Sequence, residues 1–108
     1  MTRTISEADW KCFRQLQPLA LERFCERVLV EIGQLASDAG KSGHERYLAV
    51  FQLLQRRDKE LTEAFDDLRR STAWRQLAVI RSLGLLTEEE FARFSPETRE
   101  VVQMFLGG

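Results

Sequence analysis

Apolar side chains recur every three or four residues along almost the whole of this sequence. That spacing places them on one face of an α-helix, whereas a half-buried strand would need strict alternation. Only two prolines and six glycines interrupt the pattern. The sequence therefore predicts an all-α protein, a single helical domain over residues 1–108, built as a bundle of about five to six helices.

Capping residues and helix breakers divide this pattern into separate helices. Ser6 is placed to cap a first helix, and Pro18 is expected to end or kink it, or to begin a second helix that runs to Ser37. Residues 37–43 are rich in serine and glycine, which predicts a loop. Further helix starts are expected at Ser42, at Ser71 or Thr72, at Thr87 and at Ser95.

The third predicted helix, about residues 43–70, is the most informative element. Its apolar positions follow a heptad repeat, and Leu48, Val50 and Leu53 add a second apolar stripe. Roughly 27 residues at about 1.5 Å each would make a rod of about 40 Å. Such a rod could pack against the second helix or against a second copy of itself. The predicted interface residues are Tyr47, Phe51, Leu54, Asp58, Leu61, Phe65 and Leu68.

Asp58 stands at a core-type position of that repeat and has two interpretations. A carboxylate inside an apolar seam lowers stability unless it is paired, and such a residue can fix the register of association. In an antiparallel dimer it could meet Arg57 of the second copy. Alternatively, the helix turns its midpoint to water.

Composition and charge narrow the classes of partner. Sixteen Lys and Arg against seventeen Asp and Glu leave a formal charge of −1, which predicts no strong attraction to nucleic acid or acidic membranes. We find no signal peptide and no apolar run near the ~20 residues of a membrane span, so we expect a cytoplasmic protein. Cys12 and Cys25 are expected to be free thiols, although a disulfide between them is possible.

Enzymatic chemistry is not expected. His44 is the single histidine. A nucleophile–histidine relay would therefore have to use His44 itself, and no second histidine is present for a multi-histidine metal site. Adjacent carboxylates such as Asp66 and Asp67 fan out around a helix instead of converging. Residues 40–42 lack the earlier glycine of a phosphate-binding loop. We predict no catalytic residue, no metal and no cofactor.

Two alternatives stay open beside protein–protein contact. A basic band over residues 56–81 could bind nucleic acid, but acidic residues interleave with it. If the helices around Gly84 formed a helix-turn-helix, its recognition helix would begin with three glutamates, residues 88–90. The arginines of this band are Arg56, Arg57, Arg69, Arg70, Arg75 and Arg81. A small-molecule sensor would need a pocket among Trp10, Phe13, Trp74 and Phe91.

Residues 80–91 carry one local resemblance. The run Ile80-Arg-Ser-Leu-Gly-Leu-Leu-Thr-Glu-Glu-Glu-Phe91 resembles the short helical hairpin often found at bacterial C-termini, where a Gly-Leu-Leu-Thr-type turn joins two helices. It covers about a tenth of the chain, and here a further helix is expected to follow.

The apolar pattern of the third helix and the lack of a catalytic pattern together predict a non-enzymatic protein. We expect it to self-associate through its long third helix, as a homodimer, or to bind another protein.

Overall fold

The computed structural model describes residues 3–107 and contains helices and turns over that range. The elements are α1 (Glu7–Ala36), α2 (Gly43–Phe65), a 3-10 turn (Arg70–Thr72), α3 (Ala73–Ser82), α4 (Glu88–Phe91) and α5 (Pro96–Phe105). No strand occurs in the described residues. The predicted all-α fold with five to six helical elements is confirmed.

The first two predicted helices are one continuous helix, α1, of 30 residues, with Pro18 inside it. A proline in a helix removes one backbone donor and crowds the carbonyl one turn earlier. Here Phe13 and Leu16 before it, and Ala20 and Phe24 after it, are all buried in the same core. Packing on both sides therefore outweighs the local cost, and the prediction of two separate helices was wrong.

Helix α2 begins where the sequence predicts and ends earlier. The Ser42 hydroxyl accepts a hydrogen bond from the Glu45 N–H at 3.1 Å, and the Glu45 carboxylate accepts one from the Ser42 N–H at 2.9 Å. The helix stops at Phe65, because Asp66 is extended and Asp67 has a φ of 60°, in the left-handed region. The longest helix is thus α1, and Leu68 lies beyond the end of α2.

Helices α1 and α2 form an antiparallel hairpin whose register is set by two contacts. The rings of Phe24 and Phe65 meet edge to face with centroids 6.1 Å apart. Further along the hairpin, Arg57 and Glu31 form an ion pair at 3.0 Å. The molecule is elongated, 56 × 27 × 25 Å.

One apolar cluster joins all five helices at one end of this hairpin. Its buried members are Ile5, Phe13, Leu16, Ala20, Phe24, Val28, Ala64, Phe65, Ala73, Leu77, Ala78, Ile80, Leu85, Leu86, Phe91, Phe94 and Val102. No buried member belongs to α1 beyond Val28 or to α2 before Ala64. Leu53 is buried outside the cluster. The other end of the hairpin, which carries the 37–42 loop, therefore extends past the main core.

Candidate functional site

Four of the seven predicted interface residues form a solvent-exposed stripe on the projecting part of α2. Tyr47 is 68% exposed, Phe51 49% and Leu54 44%, and Asp58 is also exposed. Their spacing of four, three and four residues places them on one helix face. We call these residues, Tyr47, Phe51, Leu54 and Asp58, the α2 stripe. Contiguous large apolar side chains facing water are typical of interaction surfaces.

The other three predicted interface residues have different surroundings. Phe65 is buried against Phe24. Leu61 is half-buried and packs against the main core. Leu68 follows the end of α2 and is 36% exposed. The heptad seam therefore divides after Asp58: Leu61 and Phe65 pack in the core of their own chain, whereas the residues up to Asp58 face solvent.

An apolar groove of about 250 Å³ runs between α1 and α2 beside the stripe. Leu54 and Asp58 belong both to the groove and to the α2 stripe, so the two features form one continuous surface. On the α1 side, Leu29 is 60% exposed. The residues lining the groove are Phe24, Cys25, Val28, Leu29, Ile32, Leu54, Arg57, Asp58 and Leu61.

Arg57, between the two helices, already has partners in its own chain. Its guanidinium contacts Glu31 at 3.0 Å and Glu60 at 2.9 Å. The hydrogen bonds from Arg57 lower the pKa of Glu31, and those to Glu31 raise the pKa of Arg57. Because both terminal nitrogens of the guanidinium are engaged, Arg57 of a second copy is a poor partner for Asp58. No ion pair to Asp58 itself occurs among residues 3–107.

The turn between α3 and α4 is held by two arginines of α1. Arg23 forms two hydrogen bonds to Glu90, at 2.7 and 2.9 Å, and one to the Leu85 carbonyl at 2.8 Å. Arg27 donates to the carbonyls of Leu83 and Gly84, both at 2.6 Å. Hydrogen bonds from Arg23, and then from the Thr87 N–H, lower the pKa of Glu90 to about 2. These contacts fix the helical hairpin at Gly84, and no local pattern in the sequence predicts them.

Within residues 3–107, Asp9 is the one buried carboxylate, at 4% exposure. It accepts hydrogen bonds from the Ser95 N–H at 3.0 Å and from the hydroxyls of Ser95 at 2.5 Å and Thr98 at 2.6 Å. The Trp74 indole donates to Thr98 at 3.0 Å. Burial alone would raise the pKa of Asp9, but the hydrogen bonds from Ser95 and Thr98 outweigh it and the pKa is lowered. This closed network joins the start of α1 to the start of α5.

The six arginines of the predicted basic band do not form one free cationic surface. Four have carboxylate partners: Arg57 with Glu31 and Glu60, Arg69 with Asp67, Arg70 with Glu7, and Arg81 with Glu88. Arg81 also lies over the Phe91 ring, 4.2 Å from its centroid. Within residues 3–107, Arg56 and Arg75 have no ion pair.

The remaining candidate residues serve packing or face water. Phe13 and Phe91 are buried in the main core, and Trp10 and Trp74 pack against it. His44 is exposed in the first turn of α2. In the described part of the chain, Cys12 and Cys25 are free and no group of three or more His, Cys, Asp or Glu side chains could hold a metal ion. None of the described helices is long and apolar enough to cross a membrane.

No model of a known protein family matches the sequence, and neither a curated protein nor a solved structure is detectably similar to it.

Proposed function

We propose that this chain is a non-enzymatic protein–protein interaction module that self-associates through the α2 stripe and the adjoining groove. The observation that supports the proposal is the exposure of Tyr47, Phe51 and Leu54 on one face of a helix that projects from the core. Leu29 and Leu48, 60% and 40% exposed, extend the apolar area on either side. Covering these side chains removes apolar surface from water, which favours association.

The apolar area is large enough to matter. A half-exposed aromatic side chain presents about 100 Å² and a half-exposed leucine somewhat less, so these two aromatic and three leucine side chains together present roughly 400–500 Å² per copy. That value lies within the roughly 300–600 Å² of the largest apolar patch on a typical monomer, and such a patch is often functional. With a polar rim, the surface approaches the ~800 Å² per partner of a standard interface. We expect modest affinity, because the translational and rotational freedom lost on association opposes binding by about 4–15 kcal/mol.

The test is the mass in solution, measured by light scattering during size exclusion, for the wild type and Leu54→Glu. We expect the wild type to show twice the protomer mass of 12.6 kDa, and Leu54→Glu to be a folded monomer. Leu19→Glu is the matched control, because Leu19 is also 41% exposed on α1 but does not line the groove. It should remain dimeric. A wild type that stays monomeric at high micromolar concentration would refute self-association.

Nucleic-acid binding through residues 56–81 remains the alternative prediction, although within residues 3–107 four of the six arginines of this band are paired with carboxylates. It predicts binding that weakens steeply with salt and on replacing Arg56 and Arg75, the two arginines of the band outside the ion pairs in residues 3–107. A fluorescence-anisotropy titration with duplex DNA at two salt concentrations measures this. A cytoplasmic location likewise remains a prediction.

A further inference from the structure

The α2 stripe has a self-complementary spacing. Phe51 and Leu54 lie on either side of a midpoint between residues 52 and 53, and Tyr47 and Asp58 lie equally far beyond them. A two-fold axis through that midpoint would place Phe51 opposite Leu54 of the second copy and Tyr47 opposite its Asp58. An isologous interface needs this property, because each copy must present to the other what it receives.

We infer that α2 of a second copy packs antiparallel on this stripe, with Phe51 against the partner's Leu54 and the Tyr47 hydroxyl donating a hydrogen bond to the partner's Asp58 carboxylate. The inference rests on the self-association proposed above and specifies its geometry. In antiparallel helix pairs, a positions of the heptad face d positions of the partner. The stripe follows that rule, because Tyr47 and Leu54 are d positions and Phe51 and Asp58 are a positions.

The polar ends of the stripe favour this orientation over a parallel one. A parallel pair would place Asp58 against the partner's Asp58, and two carboxylates brought together in an apolar seam repel each other. The antiparallel pair gives each carboxylate a phenol donor, a charge-assisted hydrogen bond. The Tyr47 side chain is 68% exposed in the single chain, so its hydroxyl is accessible to make this hydrogen bond.

Neither flank of the α2 stripe carries an unpaired charge that would repel the second copy. Leu48 and Gln55 occupy the heptad positions beside it, away from α1, and both are exposed and uncharged. In the antiparallel arrangement Leu48 lies beside Gln55 of the second copy. Arg57, on the other flank, is neutralised by Glu31 and Glu60. On both flanks, therefore, no unpaired charge opposes a second copy of this chain in the antiparallel arrangement.

Charge exchange across the proposed pair tests the orientation. Tyr47→Glu places a carboxylate opposite the partner's Asp58 and should raise the dissociation constant of the dimer at least about tenfold in sedimentation equilibrium, since like charges at an interface are strongly unfavourable. Adding Asp58→Arg to the same chain creates two Glu–Arg pairs and should recover most of that loss. The matched control is Tyr47→Glu with Glu63→Arg, which places the added arginine at an exposed position of α2 outside the stripe. It should recover little.

The outcomes separate this geometry from self-association itself. A dimer that Leu54→Glu dissociates, but in which Asp58→Arg rescues no better than Glu63→Arg, would overturn the antiparallel pairing and leave the proposed function standing. A parallel dimer gives that result, because the two introduced glutamates would then face each other. A wild type that is monomeric, or a dimer indifferent to Leu54→Glu, would overturn both. Circular dichroism of each variant should show unchanged helix content, since the replaced side chains are exposed.

Discussion

The ion pair between Arg23 and Glu90 should give this protein a measurable loss of stability in acid. Glu90 is the third residue of α4 and closes its capping box by accepting a hydrogen bond from the Thr87 N–H. Its carboxylate also accepts two hydrogen bonds from Arg23. Replacing it by glutamine keeps the side-chain oxygen for Thr87 and removes the charge that Arg23 pairs with. The variant Glu90→Gln therefore isolates the ionic contribution of this contact.

Its magnitude follows from the lowered pKa. A change from the ordinary value of 4.5 to about 2 corresponds at ~1.4 kcal/mol per unit to a ceiling of about 3 kcal/mol. The Glu90 side chain is 17% exposed and Arg23 33%, so solvent screening reduces the expected contribution to about 1–2 kcal/mol. Because the pKa is lower in the folded state, this stabilisation is complete above about pH 4.5 and is lost as the pH falls towards 2.

Urea denaturation of the wild type and Glu90→Gln at pH 7 and pH 3 measures this directly. At pH 7 the variant should unfold with about 1–2 kcal/mol less free energy, and at pH 3 more than half of that difference should have disappeared. Glu89→Gln is the control, because Glu89 is an exposed neighbour that makes no ion pair among residues 3–107. A difference that is equal at both pH values would refute the assignment of the lowered pKa to this contact.

Three further predictions concern the stability of the single chain and are measured by urea or thermal unfolding. Asp9→Ala should lower the free energy of unfolding by about 2–3 kcal/mol, since it leaves the buried Thr98 hydroxyl and the half-buried donors of Ser95 without their acceptor; a loss below about 1 kcal/mol would contradict this. Gly33→Ala should raise it by about 0.5–1 kcal/mol, because a Cβ there meets nothing within 4 Å, and a decrease would count against that. Leu53→Ala should cost about 2–4 kcal/mol and Phe51→Ala far less in the monomer, because Leu53 is 2% and Phe51 49% exposed; equal losses would show that Phe51 is buried.

The features that the sequence predicts well are those decided within a few residues. The capping boxes at Ser42 and Thr87 and the left-handed Gly84 are examples, since each depends on neighbours within one helical turn. Pro18 shows the limit of such local reasoning. Its effect on α1 is decided by the buried side chains around it, which pack against helices far along the chain.

The candidate site was predictable as a stripe but not in its extent. Heptad spacing identifies which residues share a face of α2, but spacing alone does not say which part of that face the rest of the chain covers. Phe65 is buried because α2 passes Phe24 of α1, whereas Tyr47 lies beyond the reach of α3–α5. Likewise, Arg23 and Glu90 are 67 residues apart, and no local signal pairs them.

The asymmetry of the projecting part of α2 is the strongest reason to expect a partner there. Leu53 is buried, whereas the outer side carries polar residues such as Gln52, Gln55 and Lys59, as a surface facing only water would. Between these two sides, Phe51 and Leu54 are apolar and exposed. Each is about half exposed and so contributes less than Leu53 to the folding of one copy, and the Leu54→Glu chain should therefore still fold. A substitution that leaves the monomer intact and removes the dimer would show that these side chains act between copies.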